Sequence, residues 1–255
     1  MTKVRELQQK RGWAWSTVVV IVKPTLLAAT RHHWIDGEKI PATGGCVVAV
    51  NHISHIDPMT LGWFLYEHGR LVRYLAKEAL FRTPLLKYIV KDAGQIPVRR
   101  MSEGAASAFD AAVQAVHDGE LIGIYPEGTI TKDPDGWPMR GKTGAARIAL
   151  ATGCPVIPVG QWGAQDILPA YTLRPHVFPR RTASYKVGDP VDLDDLRDQP
   201  LTEEVLRQAT DRIMASITAL VADLRGETAP AVRFDPKTSG VNEIGNPNKR
   251  KRGQA

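Results

Sequence analysis

Cysteine is scarce in this 255-residue chain: there are two, Cys46 and Cys154. Both fall in apolar runs, and neither has a cation or a helix start beside it that would favour a thiolate. So few cysteines exclude a disulfide-stapled scaffold. Each reads as a small buried hydrophobe in a reducing compartment rather than as a nucleophile. Long hydrophobic runs are missing as well. The most apolar stretch, Trp13 to Val22, is broken by Lys23-Pro24 before Thr25 to Ala29, whereas a bilayer span needs about 20 mostly apolar residues. The N-terminus has no apolar core ending in an A-x-A-like site, so no cleaved leader is expected. Acidic residues are the minority, 27 against 33 Lys plus Arg, for a net charge of +6. That balance suits anionic partners: phospholipid surfaces, phosphorylated substrates or nucleic acid. Part of it comes from the tail Asn248-Lys249-Arg250-Lys251-Arg252, which carries no interleaved aromatics for base stacking. With no recognition motif either, nucleic acid is not expected as a partner.

What is present is an ordinary globular composition, 43% apolar and 24% charged, long enough for one α/β domain with a buried core. Strand-like apolar runs alternate with helical patterns. Residues 46–50, 70–76, 95–98, 121–125, 155–160 and 183–187 read as strands. Residues 58–68, 79–91 with a turn at Thr83-Pro84, 103–117, 143–152 and 202–224 read as helices. Asp57-Pro58 looks like a helix start with aspartate at the N-cap, and Thr202 can cap the last helix. The alternation predicts a mixed, largely parallel sheet covered by helices on both faces, with ligands beyond the carboxyl ends of the strands. Three regions follow: residues 1–30, an amphipathic segment lying on a membrane surface; residues 31–225, the α/β domain; and residues 226–255, a basic, flexible tail rich in Gly, Pro, Asn and Lys. Residues 3–30 are expected to form a kinked interfacial helix, with Lys3, Arg5, Lys10 and Arg11 before it and Trp13 and Trp15 at the headgroup level.

The segment Val50-Asn51-His52-Ile53-Ser54-His55-Ile56-Asp57-Pro58 carries the chemistry. A neutral imidazole takes a proton from an attacking alcohol. A carboxylate on its other nitrogen fixes the tautomer and steadies the imidazolium. No serine or cysteine is paired with the couple, so the attacking hydroxyl is expected to belong to a substrate. His52 is the candidate general base, Asp57 its orienting partner, and Asn51 a shaper of the turn.

Four blocks in order carry a resemblance: Asn51 to Asp57; Gly94-Gln95-Ile96-Pro97-Val98-Arg99-Arg100; Tyr125-Pro126-Glu127-Gly128-Thr129; and Cys154-Pro155-Val156-Ile157-Pro158-Val159. Over roughly residues 30–220 the chain resembles the lysophospholipid acyltransferase family, the glycerophosphate and 1-acylglycerol-3-phosphate acyltransferases. The resemblance implies an O-acyltransferase. It would move a fatty acyl group from a thioester donor (acyl-CoA or acyl carrier protein) to a hydroxyl of glycerol phosphate or a lysophospholipid. The most fitting product is phosphatidic acid from 1-acylglycerol-3-phosphate. No cofactor or metal is implied, and the expected location is the cytoplasmic face of the cell membrane, peripheral or monotopic.

By the same resemblance Arg99 is the lead phosphate ligand and Lys77 a second cation. Glu127 accepts a hydrogen bond from an acceptor hydroxyl or a neighbouring cation. Thr129 and the amide of Gly128 face phosphate or the developing oxyanion. One position departs from the pattern: the family's third block continues with an arginine associated with the substrate phosphate, and here it is Ile130. Arg140 or Lys142, before a helix start, could stand in, or the acceptor is a different lysolipid or a glycolipid. Two other classes compete: a metal-dependent hydrolase built on His52, His55 and Asp57, and a catalytically idle lipid-binding scaffold.

Overall fold

The computed structural model describes residues 4–84, 86–98, 104–172 and 174–242, with the backbone alone for Lys77, Gly104 and Ala105. The chain enters through α1 (Trp13–Thr17), a π-helical turn (Val18–Val22) and α2 (Lys23–Ala29), which run into β1 (Thr30–Ile35). Then follow β2 (Cys46–Val50), α3 (Asp57–Glu67), β3 (Val72–Lys77), α4 (Glu78–Arg82), α5 (Leu86–Asp92) and β4 (Ile96–Val98). The second half carries α6 (Gly104–His117), β5 (Leu121–Ile124), α7 (Gly144–Thr152), β6 (Val156–Trp162), α8 (Ala164–Ile167), β7 (Arg181–Val187), α9 (Asp194–Arg197) and α10 (Glu203–Arg225).

The strands form one seven-stranded sheet in the order β1-β7-β6-β2-β5-β3-β4. Every pairing is parallel except β6 with β7. The central strands β2 and β5, and β6 up to Val159, carry no polar side chain because both their faces are covered. Val47, Ala49, Ile122 and Ile124 pack towards α7 and α10, against Ile148, Ala149, Ile213 and Ile217. Cys46, Val48 and Val50 pack the other way, against Leu61, Phe64 and Leu65 of α3 and Trp15 of α1. Burial pushes the Cys46 thiol up to about 12 and raises that of Cys154. The long helix starts where its cap predicts: Thr202 Oγ1 accepts from the Val205 amide at 3.3 Å, with Glu203 and Glu204 in the first turn.

Four features differ from the sequence reading. Thr30–Ile35 is an edge strand paired in parallel with β7, although its His-rich pattern gave no strand signal. Trp15 does not reach a headgroup layer: it is buried, with its indole N–H on the Ala93 carbonyl at 3.3 Å, while Trp13 stays 54% exposed. Residues 4–12 are not helical, so among the described residues of this segment the helix runs over Trp13–Ala29. Finally, the part of the tail that is described is tied to the domain. The Arg140 amide donates to Phe234 O at 2.9 Å, Arg140 pairs with Asp235 at 2.6 Å, and Arg233 pairs with Asp211 at 3.1 Å.

Candidate active site

Two neighbouring parallel strands set the site. In the β2–β5 register Ala49 lies opposite Ile124, so His52 and Glu127 stand equally far past the sheet's carboxyl edge, on adjacent loops. Glu127 joins them. Its Oε1 accepts the His52 backbone N–H at 2.8 Å, and its Oε2 accepts that of Met139 at 3.0 Å. The Thr131 amide donates back to His52 O at 2.7 Å. Burial pushes the Glu127 carboxyl up to about 8, against the opposing pull of its hydrogen bonds from Met139, His52 and Thr131. Glu127 therefore braces the two loops, whatever else it does.

The imidazole of His52 is partly exposed and Asp57 is fully buried. His52 Nδ1 donates to Asp57 Oδ2 at 2.8 Å. The same oxygen accepts the amides of Ile53 and Ser54 at 2.7 and 2.9 Å. Asp57 thus turns back into the loop instead of capping α3; Ile56 is the N-cap and Asp57 the first helical residue. Its Oδ1 is buried and accepts no hydrogen bond among the described residues. With Nδ1 committed as donor, Nε2 carries the lone pair of the neutral ring, and it has no hydrogen-bond partner among those residues. Tyr125 stacks on the ring, centroids 4.3 Å apart and planes 29° from parallel. Its π-face favours a positive charge developing there.

Asn51 clamps the end of β2 to the end of β6. Its Nδ2 donates to Gln161 O at 3.0 Å, its Oδ1 accepts the Gln161 amide at 2.8 Å, and its carbonyl accepts Gln161 Nε2 at 2.5 Å. Gln161 Oε1 in turn accepts Tyr185 Oη at 2.8 Å, and Tyr185 meets Thr60 Oγ1 at 2.6 Å. This buried network fixes the base of the His52 turn from behind. Gln161 and Tyr185 are separated from it by more than a hundred residues, and only the strand order reveals them.

The other expected residues fall in different places. Gly128 adopts φ +71, the left-handed region glycine favours, and its amide donates to Tyr125 O at 2.9 Å within the turn. A side chain there would meet Lys142 Cδ at 3.2 Å. Thr129 is half-buried against the Tyr171 hydroxyl. Ile130 is 2% exposed and points into the core, while its carbonyl accepts Tyr171 Oη at 3.0 Å. Lys77 ends β3 at the same sheet edge, but its side chain lies outside the described residues, as do Arg99 and Arg100. Arg140 and Lys142 line a cavity of about 280 Å³ together with Arg207 and Lys237 and with the carboxyl groups of Glu127, Glu203 and Asp235, the last paired with Arg140.

Lys132 is a further cation on the loop after β5 that also carries Glu127. It is buried, its ammonium lies 4.5 Å from the Tyr171 ring centroid, and burial lowers its pKa. Nothing in the sequence marks it, because Tyr171 comes from a distant loop. His55 is exposed with its ring 6.1 Å from that of Tyr171. Among the described residues no three His, Cys, Asp or Glu side chains gather as a metal site, the trio His52, His55 and Asp57 included.

Fold and site define a class: an α/β protein with a His–Asp couple at the carboxyl edge of a mostly parallel sheet. The family model described as Acyltransferase matches residues 33–162, about half of the chain, and the chain belongs to that family. It is 34% identical over 123 residues to the 1-acyl-sn-glycerol-3-phosphate acyltransferase of Borreliella burgdorferi, covering 48% of this chain and 47% of that one. It is 27% identical over 168 residues to the protein of the same name from Bacillus subtilis, covering 66% and 77%. An N-acylphosphatidylethanolamine synthase of Arabidopsis thaliana matches at 29% over 160 residues, covering 58% and 56%. The chain thus spans about half the length of the Borreliella relative. Among solved structures, PlsC of Thermotoga maritima, a 1-acyl-sn-glycerophosphate (LPA) acyltransferase, superposes with a TM-score of 0.62 at 24% identity. That match covers 84% of this chain and 81% of the other, and shows a shared fold.

Proposed function

We propose that this chain transfers a fatty acyl group from a thioester donor, acyl-CoA or acyl carrier protein, to the free hydroxyl of 1-acyl-sn-glycerol-3-phosphate. The observation that carries the reading is the His52–Asp57 couple with Nε2 unpartnered. In the proposed step Nε2 takes the hydroxyl proton as that oxygen attacks the thioester carbonyl. Asp57 and the face of Tyr125 steady the imidazolium. The tetrahedral intermediate collapses, the C–S bond breaks, and the proton passes from His52 to the departing thiolate. Such help from a placed base contributes about 10² to 10⁴ in rate. The donor thioester supplies the driving force, so no metal or nucleotide is called for.

The names of the Borreliella and Bacillus relatives support the acceptor. So do the cations near the site, with Lys132 and, on the cavity beside Glu127, Lys142 and Arg207 as phosphate contacts beside the expected Arg99 and Lys77. Two observations favour a second reading, a lipid acceptor with a different head: the buried Ile130, and the relative named as an N-acylphosphatidylethanolamine synthase. Among the described residues no helix is long and apolar enough to cross a membrane. The exposed Trp13, Val20 and Ile21 of the first helix support peripheral attachment to a bilayer, at its cytoplasmic face in this proposal.

The test is an acceptor panel of glycerol 3-phosphate, 1-acyl-sn-glycerol-3-phosphate and other lysolipids, each with acyl-CoA and acyl carrier protein, followed by product mass. Phosphatidic acid as the dominant product supports the proposal. Preference for an acceptor without a phosphomonoester refutes the acceptor assignment, and no transfer to any acceptor refutes the reaction.

A further inference from the structure

Between Ile167 and Gly188 the sequence carries no acidic residue, and Arg174, His176, Arg180, Arg181 and Lys186 all lie in that interval. Residues 174–182 are exposed without a break. At their centre Phe178 is 90% exposed and Val177 51%. The loop is nonetheless held at both ends. The His176 amide donates to Ile167 O at 2.7 Å. The Arg180 guanidinium donates to the carbonyls of Leu27 and Thr30, at the end of the N-terminal helix. Pairing of β1 with β7 then sets Thr30 beside Arg181 and Arg31 beside Thr182. The bare Phe178 is therefore anchored, through Arg180, beside the end of the helix that exposes Val20 and Ile21, with Arg174, Arg180 and Arg181 near it in sequence.

We infer that the loop around Phe178 is a second lipid-contacting element. Phe178 and Val177 enter the interfacial layer of an anionic bilayer, and the arginines meet lipid phosphates. An exposed aromatic in a basic stretch of chain that carries no acidic residue matches the negative surface of such a bilayer. The same loop reaches the catalytic turn: Leu168 O accepts Ser54 Oγ at 2.6 Å, and Tyr171 Oη bonds Ile130 O. Lipid contact at Phe178 thus sets the catalytic loops at a fixed height above the bilayer from which a lysolipid arrives. The inference rests on the membrane-surface reading of the first helix.

The test labels Phe178→Cys with an environment-sensitive NBD fluorophore. Cys46 and Cys154 are both buried, so the label reports from position 178 in the native protein. Vesicles of phosphatidylcholine with about one-third phosphatidylglycerol are added, and sedimentation measures binding of the whole chain. The expected result is co-sedimentation with a blue-shifted, brighter NBD signal, and no shift for a control label at Leu201→Cys. Arg174→Gln weakens partitioning about fivefold, and salt reverses it. Co-sedimentation without a shift at 178 overturns this inference and leaves the helix as the sole anchor. No sedimentation overturns both.

Discussion

Glu127→Gln isolates the brace between the His52 loop and the loop that follows β5. The glutamate uses both side-chain oxygens, one for the His52 amide and one for the Met139 amide. Both oxygens have lone pairs whether or not the carboxyl is protonated. Glutamine keeps the shape but offers a single acceptor, so one amide must face an NH₂ group. A buried donor left unpaired costs about 1–3 kcal/mol. In a domain of this size each kcal/mol moves Tm by about 2–4 °C, for a fall of roughly 2–12 °C. The lost bond also lets the His52 loop shift, and a misplacement of about 1 Å costs up to about 10² in rate. Differential scanning calorimetry and an initial-rate thiol-release assay read the two effects. Glu127→Ala, which frees both amides, falls further in each. A Glu127→Gln protein with unchanged Tm and unchanged rate would refute the brace. A lower Tm with an unchanged rate would confine it to stability.

The remaining predictions use the same geometry. Glu127 holds its proton to about pH 8 in the fold against an ordinary value near 4.5. The unfolded chain therefore releases that proton first as pH rises. The stability it contributes is complete below about 4.5 and is lost as pH climbs through about 8; urea unfolding at both ends shows the decline, and Glu127→Gln flattens it. Asn51→Leu leaves the Gln161 amide and carbonyl without their side-chain partners, at roughly 2–6 kcal/mol for two buried groups, measured by urea unfolding. Gly128→Ala places a side chain at φ +71 against Lys142, costing about 1–2 kcal/mol for the left-handed backbone alone, with Tm as the readout. The Cys46 thiol, raised to about 12 by burial, reacts with a thiol reagent only on unfolding, so its labelling rate tracks denaturant.

Much of the fold was legible because its central strands are apolar at every position and end at glycine, proline or a polar turn. Val47–Val50, Leu121–Ile124 and Val156–Val159 needed no alternation to be recognised, since both faces of a parallel sheet are buried. The edge strand Thr30–Ile35 was not legible, because its alternation of exposed and partly buried positions is carried by histidine and tryptophan. Its place depends on the distant β7. The His52–Asp57 pair was visible from spacing, but that a single oxygen of Asp57 serves both the ring and the loop amides was not. Aspartate before proline suits an N-cap, yet the amides of Ile53 and Ser54 compete for the same oxygen and hold it. Gln161, Tyr185, Lys132 and Tyr171 carry no local signal, since each matters only through a contact made across the sheet or between loops.

The central claim is that His52 removes the acceptor's proton with Asp57 holding its tautomer. The most direct measurement is the rate of acyl transfer by His52→Ala beside wild type, with circular dichroism and Tm recorded on the same samples. The account predicts a loss of about 10² to 10⁴ with the fold retained. A folded His52→Ala protein that transfers acyl groups at the wild-type rate would contradict it.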